Sequence, residues 1–572
     1  MQNLKLFWKS KLKLILWKKK PTIILKIKKN NKHHWFLDGK LNIYENCILN
    51  KLNTKNKKKI AIKYFSEKNN YEEYTYEQLH NLVLKYEFFL RFNINKKLSN
   101  SKLMLQSSTN IKTIALILAC VKLGIEYCAV FEDLAEEGVL KRIKLFRPDI
   151  FFCNNIKLKS IKKYQKKHKF ISLAFEEVDQ LKNTMSSEKK LNYFHSNKSL
   201  FTLFTSGSTG MPKGIVHSSG GFLLYTIFTL KNQFGMNTKS TILTASDIGW
   251  LNGHNYMLFG PLCIGTTTLI LEKPLNLLNS KFLEEVLNKN VTILYLPVTL
   301  IRIMRAIFGE KKFLKNSLET LGSMGEHIAP HVAKWFANTF LKKDRPIVNA
   351  YYQTENGGII ASPKFKDSIS ECPHGSAGKL STKFIKTNKL SEVEKKELKI
   401  LTPWPGLMKG VLSDDKNAWS KYWDKNNNFK MFDEATIVNK NLFIHGRSDD
   451  VINIRGKRVG CEEIESNLLE IKYIKECCAV GYNDLLEGNK LVVFLSCKKK
   501  NIDTMLINKL KSNFGSHLIP SKIIYLSRLP KTKSGKILRR LLRDILNKKN
   551  KYGDLSTIQD KAIIDELLTK TK

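Results

Sequence analysis

The segment Leu203–Gly214, LFTSGSTGMPKG, carries an unusual density of small and hydroxylated residues. An apolar, strand-like run at Leu200–Phe204 leads into Thr205, Ser206, Gly207, Ser208, Thr209 and Gly210, and Lys213 follows. Glycines let the backbone turn sharply and aim N–H groups at phosphate oxygens, while hydroxyls and an ammonium add donors and positive charge. The chemistry this suits is the binding of a polyphosphate. The segment lacks the Gly-Lys-Ser/Thr closure of a Walker loop; the competing reading is a Ser/Gly turn without a ligand.

Further groups follow in order: YYQTENGG at Tyr351–Gly358, FKMFDEA around Asp433, GRSDD at Gly446–Asp450 and LPKTKSGKILRR at Leu529–Arg540. Together they resemble the adenylate-forming superfamily, which holds acyl-CoA synthetases, luciferases and the adenylation domains of peptide synthetases. The resemblance implies an enzyme that activates a carboxylic acid with ATP as its acyl-adenylate. It implies ATP contacts from Thr205, Ser206, Gly207, Ser208, Thr209, Gly210, Lys213, Gly325, Glu326, Gln353, Thr354, Asp433, Arg447 and Arg458, with Asp433 accepting from the ribose hydroxyls. Glu355 is the implied Mg²⁺ ligand, consistent with the preference of a hard cation for carboxylate oxygen. Asp449 is the implied hinge. Lys536 is the implied catalytic lysine on a mobile loop, where it would meet the negative charge that builds on phosphate oxygens during acyl attack.

Within that superfamily, SDIGWLNGHNYMLFGPLCIG, GSMGEHIAP, TPWPGLMKG and GRSDDVINIRGKRVGCEEIES resemble the acetyl-CoA synthetase family, as do the N-terminal FWKSKLKLILWKKKP and WFLDGKLNIYENCI. The likeness runs from about Phe7 to the end. It implies coenzyme A as acceptor, passing near Gly456, and an acyl pocket of Trp250, Leu251, Asn252, Met324 and Tyr352. Tyr352 stands for the usual wall Trp, Met324 for a smaller β-branched residue and Asn252 for a Thr. One methylene in such a pocket is worth about 1–3 kcal/mol; these changes oppose one another, so acetate is expected first and propionate second. Glu132 and Asp133 replace the glycines of a Phe-Gly-Gly-Phe turn expected near the nucleotide end of coenzyme A. Arg455 replaces a Ser beside Gly456, and the usual arginines near Ile156–Lys163 are absent. Adenylation is therefore better supported than thioester formation, and an adenylating enzyme with a non-CoA acceptor is the alternative.

Elements must hold these groups in place. A chain of 572 residues exceeds what one hydrophobic core accommodates. Helical spacing over Tyr74–Leu90, a strand at Lys102–Gln106, a helix at Ile111–Leu123 and a strand at Tyr127–Phe131 predict parallel α/β structure. Strands at Thr266–Leu271 and Thr292–Leu296 repeat the pattern, and the Lys-rich stretch Asn154–Lys198 reads as mostly solvated surface with one possible strand at Phe170–Leu173. The expected fold is α/β: a large N-terminal domain of parallel or mixed sheets flanked by helices, with a β-barrel-like subdomain and a small mobile α+β C-terminal domain. The expected domains are an N-terminal region at 1–60, the ATP- and acyl-binding domain at 61–446 and the small domain at 447–572.

The 97 Lys and Arg against 51 Asp and Glu give a formal charge of +46. Lysine is spread along the whole chain among abundant Asn and Ile, the pattern of AT-rich coding rather than of a nucleic-acid-binding arm. A degenerate, basic nucleic-acid-binding protein is the non-enzyme alternative, weakened because no stacking pattern of aromatics accompanies the charge. The ten cysteines lack zinc-type spacing, and no apolar run approaches a membrane span. A cytoplasmic monomer or small homo-oligomer is expected, with no nucleic-acid or membrane partner. Acetylation of Lys536 by a protein acetyltransferase, reversed by a deacetylase, would remove its charge.

Overall fold

A computed structural model describes residues 1–94, 98–181, 190–206, 212–343, 345–448, 451–454, 457–484, 488–497, 502–514, 518–532, 535–549, 552, 555 and 558–571. Packing divides the chain into a large unit of Met1–Ser206, Pro212–Lys386 and Ile400–Phe429 and a small unit that contains Thr387–Lys399 and Lys430–Lys572. The small compact unit thus takes in chain that precedes the Gly446–Arg447 junction.

Two seven-stranded sheets build the large unit. The first runs in the order Gly410–Leu412, Pro212–Ser218, Ser199–Ser206, Glu126–Phe131, Lys102–Ser107, Ile150–Cys153 and Ile171–Ala174. It is parallel from Ser199–Ser206 outward and antiparallel at the other edge. The second runs Val348–Asn349, Thr320–Met324, Ile293–Pro297, Thr241–Thr244, Thr267–Leu271, Ile60–Phe65 and Tyr71–Thr75, with only the last strand antiparallel. Parallel strands buried on both faces read as continuous apolar runs, as Leu294 and Leu296 beside Ile293 and Tyr295 illustrate.

The helices explain themselves locally. Asn110 accepts from Thr113 N at 2.9 Å and starts the helix Ile111–Leu123. Every residue of that helix except Lys112 is buried, and a helix apolar on all sides belongs inside. The helix expected from Tyr74 begins instead at Tyr76: Thr75 and Gln78 form a reciprocal cap, and Tyr71–Thr75 is already committed as a sheet edge. The stretch Asn154–Lys198 is more structured than its lysines suggest. The helices Asn155–Lys162 and Phe175–Asp179 and the strand Ile171–Ala174 complete the sheet edge, with Leu158, Ile161, Phe170 and Val178 turned inward. Lysine on the outer face masked a one-sided apolar pattern. At the N-terminus, Trp8 of the helix Gln2–Lys11 is wholly buried against Trp35, Tyr225 and Phe228.

Besides the two large sheets, Ala361–Ser362 pairs with Lys379–Leu380, and Lys396–Ile400, Phe429–Val438 and Asn441–Arg447 form a three-stranded sheet. In the small unit, Ile474–Asp484, Gly488–Cys497 and Lys522–Tyr525 form a sheet apolar on both faces. Cys477, Ala479, Leu491, Val493 and Leu495 enter one cluster, while Cys478, Val480, Val492 and Phe494 enter the other. That alternation is the period of two of a strand expressed as two cores. All ten cysteines are free thiols. Among the described residues no helix is long and apolar enough to cross a membrane.

Truncation at the centre of the second sheet should cost far more than truncation at its surface. Leu294→Ala, at a fully buried position, should lower stability by about 3 kcal/mol, whereas Ile307→Ala, 55% exposed, should change it by less than about 0.5 kcal/mol; urea unfolding of the two variants checks this.

Candidate active site

The loop Tyr351–Gly358 leaves the edge of the second sheet beside the end of Thr320–Met324. Ala350 N donates to Ser323 O at 3.0 Å, and Tyr351 pairs with Ala361. Gln353 N then donates to Asn356 Oδ1 at 2.8 Å, closing the single turn Thr354–Asn356. Gly357 follows at φ +71°, and a Cβ there would lie 2.1 Å from Gly406 O. Only glycine combines that backbone conformation with that approach. Two buried tyrosines clamp the next residue: Ile359 N donates to Tyr256 Oη and Ile359 O accepts from Tyr225 Oη, both at 2.8 Å.

The strand Pro212–Ser218 ties this loop to the first sheet. Its Lys213 lies opposite Thr205 in the antiparallel ladder. At its other end, buried His217 donates from Nε2 to Thr354 O at 2.8 Å. Burial drives the His217 pKa down to about 4, against the backbone hydrogen bonds that favour protonation, so the ring is neutral near pH 7. Tyr422 joins the two chemical groups at this edge. Its hydroxyl donates to Glu355 Oε1 at 2.8 Å, its ring centroid lies 6.0 Å from Lys213 Nζ, and its other face stacks on Phe429. An ammonium and a carboxylate around one phenol form an arrangement that can receive an anion together with its counter-cation. Ser206 contributes backbone pairing with Pro212; Gly207, Ser208, Thr209 and Gly210 lie outside the described residues.

Gly325 turns at φ +91°, and among the described residues no atom beyond its chain neighbours lies within 4 Å of where its Cβ would be, which leaves room for a close-approaching ligand. The Glu326 carboxylate takes the Thr299 hydroxyl at 3.0 Å and Arg302 Nη1 at 2.7 Å. Met324 and Tyr352 enter one apolar cluster with Phe234, Tyr256, Ile293 and Tyr295. The Tyr352 ring meets Tyr256 edge-on at 5.7 Å, and burial holds its hydroxyl well above the usual phenol range, leaving an uncharged wall. Trp250 packs instead on Phe131, at 5.1 Å between ring centroids. Leu251 is buried and begins the short helix Leu251–His254, and Asn252 Oδ1 is shut off from solvent with no hydrogen-bond partner among the described residues.

The turn before Trp250 rests on a residue that sequence reasoning passed over. Asp247 accepts from Gly249 N at 2.7 Å and from the Thr109 hydroxyl at 3.1 Å. His217, Tyr422, Tyr225 and Tyr256 were missed likewise; a polar residue inside an apolar run, as in IVHS or LLYT, was the available signal.

In the small unit, Asp433 and Arg447 are direct neighbours across an antiparallel ladder, with Nη1 3.7 Å from Oδ1 and the guanidinium over the Phe432 ring at 5.5 Å. Arg458 lies opposite Asn453 in the pairing of Val451–Ile454 with Lys457–Gly460. Lys536 is exposed, its backbone N–H donating to Thr532 Oγ1 at 3.2 Å. Asp449, Arg455 and Gly456 lie outside the described residues.

Burial raises the Asp247 carboxyl to about 6, despite the opposing hydrogen bonds, and the charges of Asp133 and Glu132 push the same way. A folded-state pKa above the unfolded value means that its favourable contribution is complete below about pH 4 and lost as pH rises through about 6. Asp247→Asn should therefore unfold at a higher temperature than the parent above pH 6, with the difference vanishing toward pH 4 in a series of melts.

Three family models match this chain: AMP-binding enzyme over residues 50–401, AMP-binding enzyme C-terminal domain over 463–536 and acetyl-coenzyme A synthetase N-terminus over 1–47. The acetyl-coenzyme A synthetase of Leptospira biflexa is 30% identical over 99% of this chain and 94% of its own. That of Helicobacter pylori strain G27 is 30% identical over 94% and 88% respectively. Among solved structures, acetoacetyl-CoA synthetase from Streptomyces lividans superposes with a TM-score of 0.83 at 16% identity, covering 100% of this chain and 93% of that one. An anthranilate CoA ligase in complex with anthranoyl-AMP gives 0.73 at 18% identity, covering 88% and 97%. These last two likenesses concern the fold. With one family model spanning more than half the chain and a relative at 30% identity along nearly all of it, the chain belongs to the AMP-binding enzymes and, among them, to the acetyl-coenzyme A synthetase family.

Proposed function

We propose that this protein activates acetate with ATP to acetyl-AMP and passes the acetyl group to coenzyme A, giving acetyl-CoA, AMP and pyrophosphate. The observation that carries this reading is the meeting of Lys213 and Glu355 at Tyr422, with Met324 and Tyr352 packed in one apolar cluster beside the loop that carries Glu355. An acetate oxygen attacks the α-phosphorus, the bond to the bridging oxygen breaks, and pyrophosphate leaves with its electron pair. The coenzyme A sulfur, having lost its proton, then attacks the acetyl carbonyl and AMP departs.

ATP enters as its magnesium complex. Glu355, one oxygen of which is fixed by Tyr422, is the ligand we assign to Mg²⁺, because a hard cation favours carboxylate oxygen. Lys213 and the segment Thr205–Gly210 take the phosphates, Gly325, Glu326, Gln353 and Thr354 border the nucleotide, and Asp433, Arg447 and Arg458 belong to the same nucleotide set. Lys536 neutralises charge building on the phosphate oxygens. Residues 447–572 are assigned as the moving domain, hinged at Asp449, so that Lys536 serves adenylation and Gly456 lines the coenzyme A path; the N-terminal region is 1–60 and the large domain 61–446. Closure and rotation let one site serve two half-reactions. A cytoplasmic setting, where ATP and coenzyme A are available, completes the reading.

Two measurements test it. Acetate-dependent exchange of pyrophosphate into ATP should be measurable, and Lys536→Ala should lower it by about 100-fold or more while thioester formation from supplied acetyl-AMP persists; no exchange with any acid of two to four carbons would overturn the assignment. Met324→Ala, which opens the apolar wall, should raise the kcat/KM ratio of propionate over acetate by about tenfold, read from thioester formation with each acid.

A further inference from the structure

The loop that carries Lys536 is closed at its base by two acid–base contacts inside the small unit. At the tip, Thr532 N donates to Lys536 O and Gly535 N to Thr532 O, both at 2.8 Å. Below it, Lys531 bridges Ile537, and Leu538 N donates to Pro530 O at 2.8 Å. Glu476, on the strand Ile474–Asp484, holds one arm: Oε2 accepts from Leu529 N at 2.9 Å and Oε1 pairs with Lys531. Glu465, on the helix Cys461–Leu468, holds the other: both its oxygens accept from Arg539 Nη2 at 2.7 Å, and Oε1 also accepts from Ala479 N at 2.8 Å.

Both arms are thus referenced to one strand, since Glu476 and Ala479 lie on it three residues apart. That strand is fixed by apolar packing on both faces. The Glu465 and Arg539 side chains are 11% and 13% exposed. A buried ion pair gains little net stability over an apolar pair, because desolvation offsets attraction, but a two-pronged contact with the carboxylate constrains direction. Arg539 follows Lys536 by only three residues, so its anchoring limits where the lysine can point.

We propose that Glu465 and Arg539, aided by Glu476 and Lys531, are positioning residues that set the register of the Lys536 loop for the adenylation step. The proposal rests on the assignment of Lys536 above. A loosened loop leaves substrate binding intact and misplaces only the ammonium, so it should slow one half-reaction and spare the other.

In the full-length protein, Arg539→Ala and Glu465→Gln should each lower the kcat of acetate-dependent pyrophosphate exchange by about 10- to 100-fold. The KM values for ATP and acetate should stay within about threefold, and thioester formation from supplied acetyl-AMP and coenzyme A within about twofold. Arg539→Lys, which keeps the charge but not the planar guanidinium, should recover part of the loss. If Arg539→Ala fails to fold, Lys531→Gln on the other arm should show the same split. Parallel loss of both half-reactions, or unchanged exchange, would overturn the proposal. Lys536→Ala measured alongside separates the premises: wild-type exchange there refutes the lysine assignment, whereas its loss beside undiminished exchange in Arg539→Ala refutes positioning alone.

Discussion

A hydrogen bond from His217 Nε2 to the carbonyl of Thr354 ties the strand Pro212–Ser218 to the loop that carries Glu355. Burial keeps the donor a neutral imidazole, against the pull of this bond toward protonation. The bond adds to the one that the same carbonyl accepts from Gly357 N at 3.3 Å. Because a strand is stiff and rises about 3.3 Å per residue, fixing His217 also fixes Lys213 four residues earlier. Lys213, Gln353, Thr354 and Glu355 are therefore set against one another by one strand and a few contacts, with Met408 N donating to Glu355 O at 2.8 Å and Lys409 N to Val216 O at 2.7 Å beside the histidine.

The rest of the loop is held by polar groups inside an apolar shell. Tyr225 and Tyr256 satisfy both backbone groups of Ile359, Trp404 Nε1 donates to Asn356 O at 2.9 Å, and Gly357 permits contact with Gly406. Such a network fixes geometry more than it adds stability, since each group had water as an alternative partner in the unfolded chain. Tyr422 extends the same logic to the side chains, orienting the Glu355 carboxylate.

The small unit follows a different plan. Its sheet is apolar on both faces and serves as a rigid support, while Lys536 sits on an exposed loop anchored at its base. An exposed side chain on such a loop stays solvated. This arrangement suits a group that acts in one step and is absent from the next.

Sequence by itself determined the family, the order of its chemical groups and much of the large unit's framework. The bounds of Ile111–Leu123 were legible because Asn110 caps it locally and its apolar content runs all round. Glu355 and Lys536 were singled out through their dense local motifs. Of the Lys-rich edge from Asn155 to Asp179 only the strand near Phe170–Leu173 was legible, and its helices were not, because composition hid a one-sided pattern. Tertiary structure alone decided that Tyr422 meets Glu355 across 67 positions, that His217 meets Thr354 across 137 and that Glu465 meets Arg539 across 74. A cap or a glycine-rich turn is chosen by neighbours in the chain, whereas the partner of a buried polar group is chosen by whichever distant backbone or side chain folding leaves unsatisfied beside it.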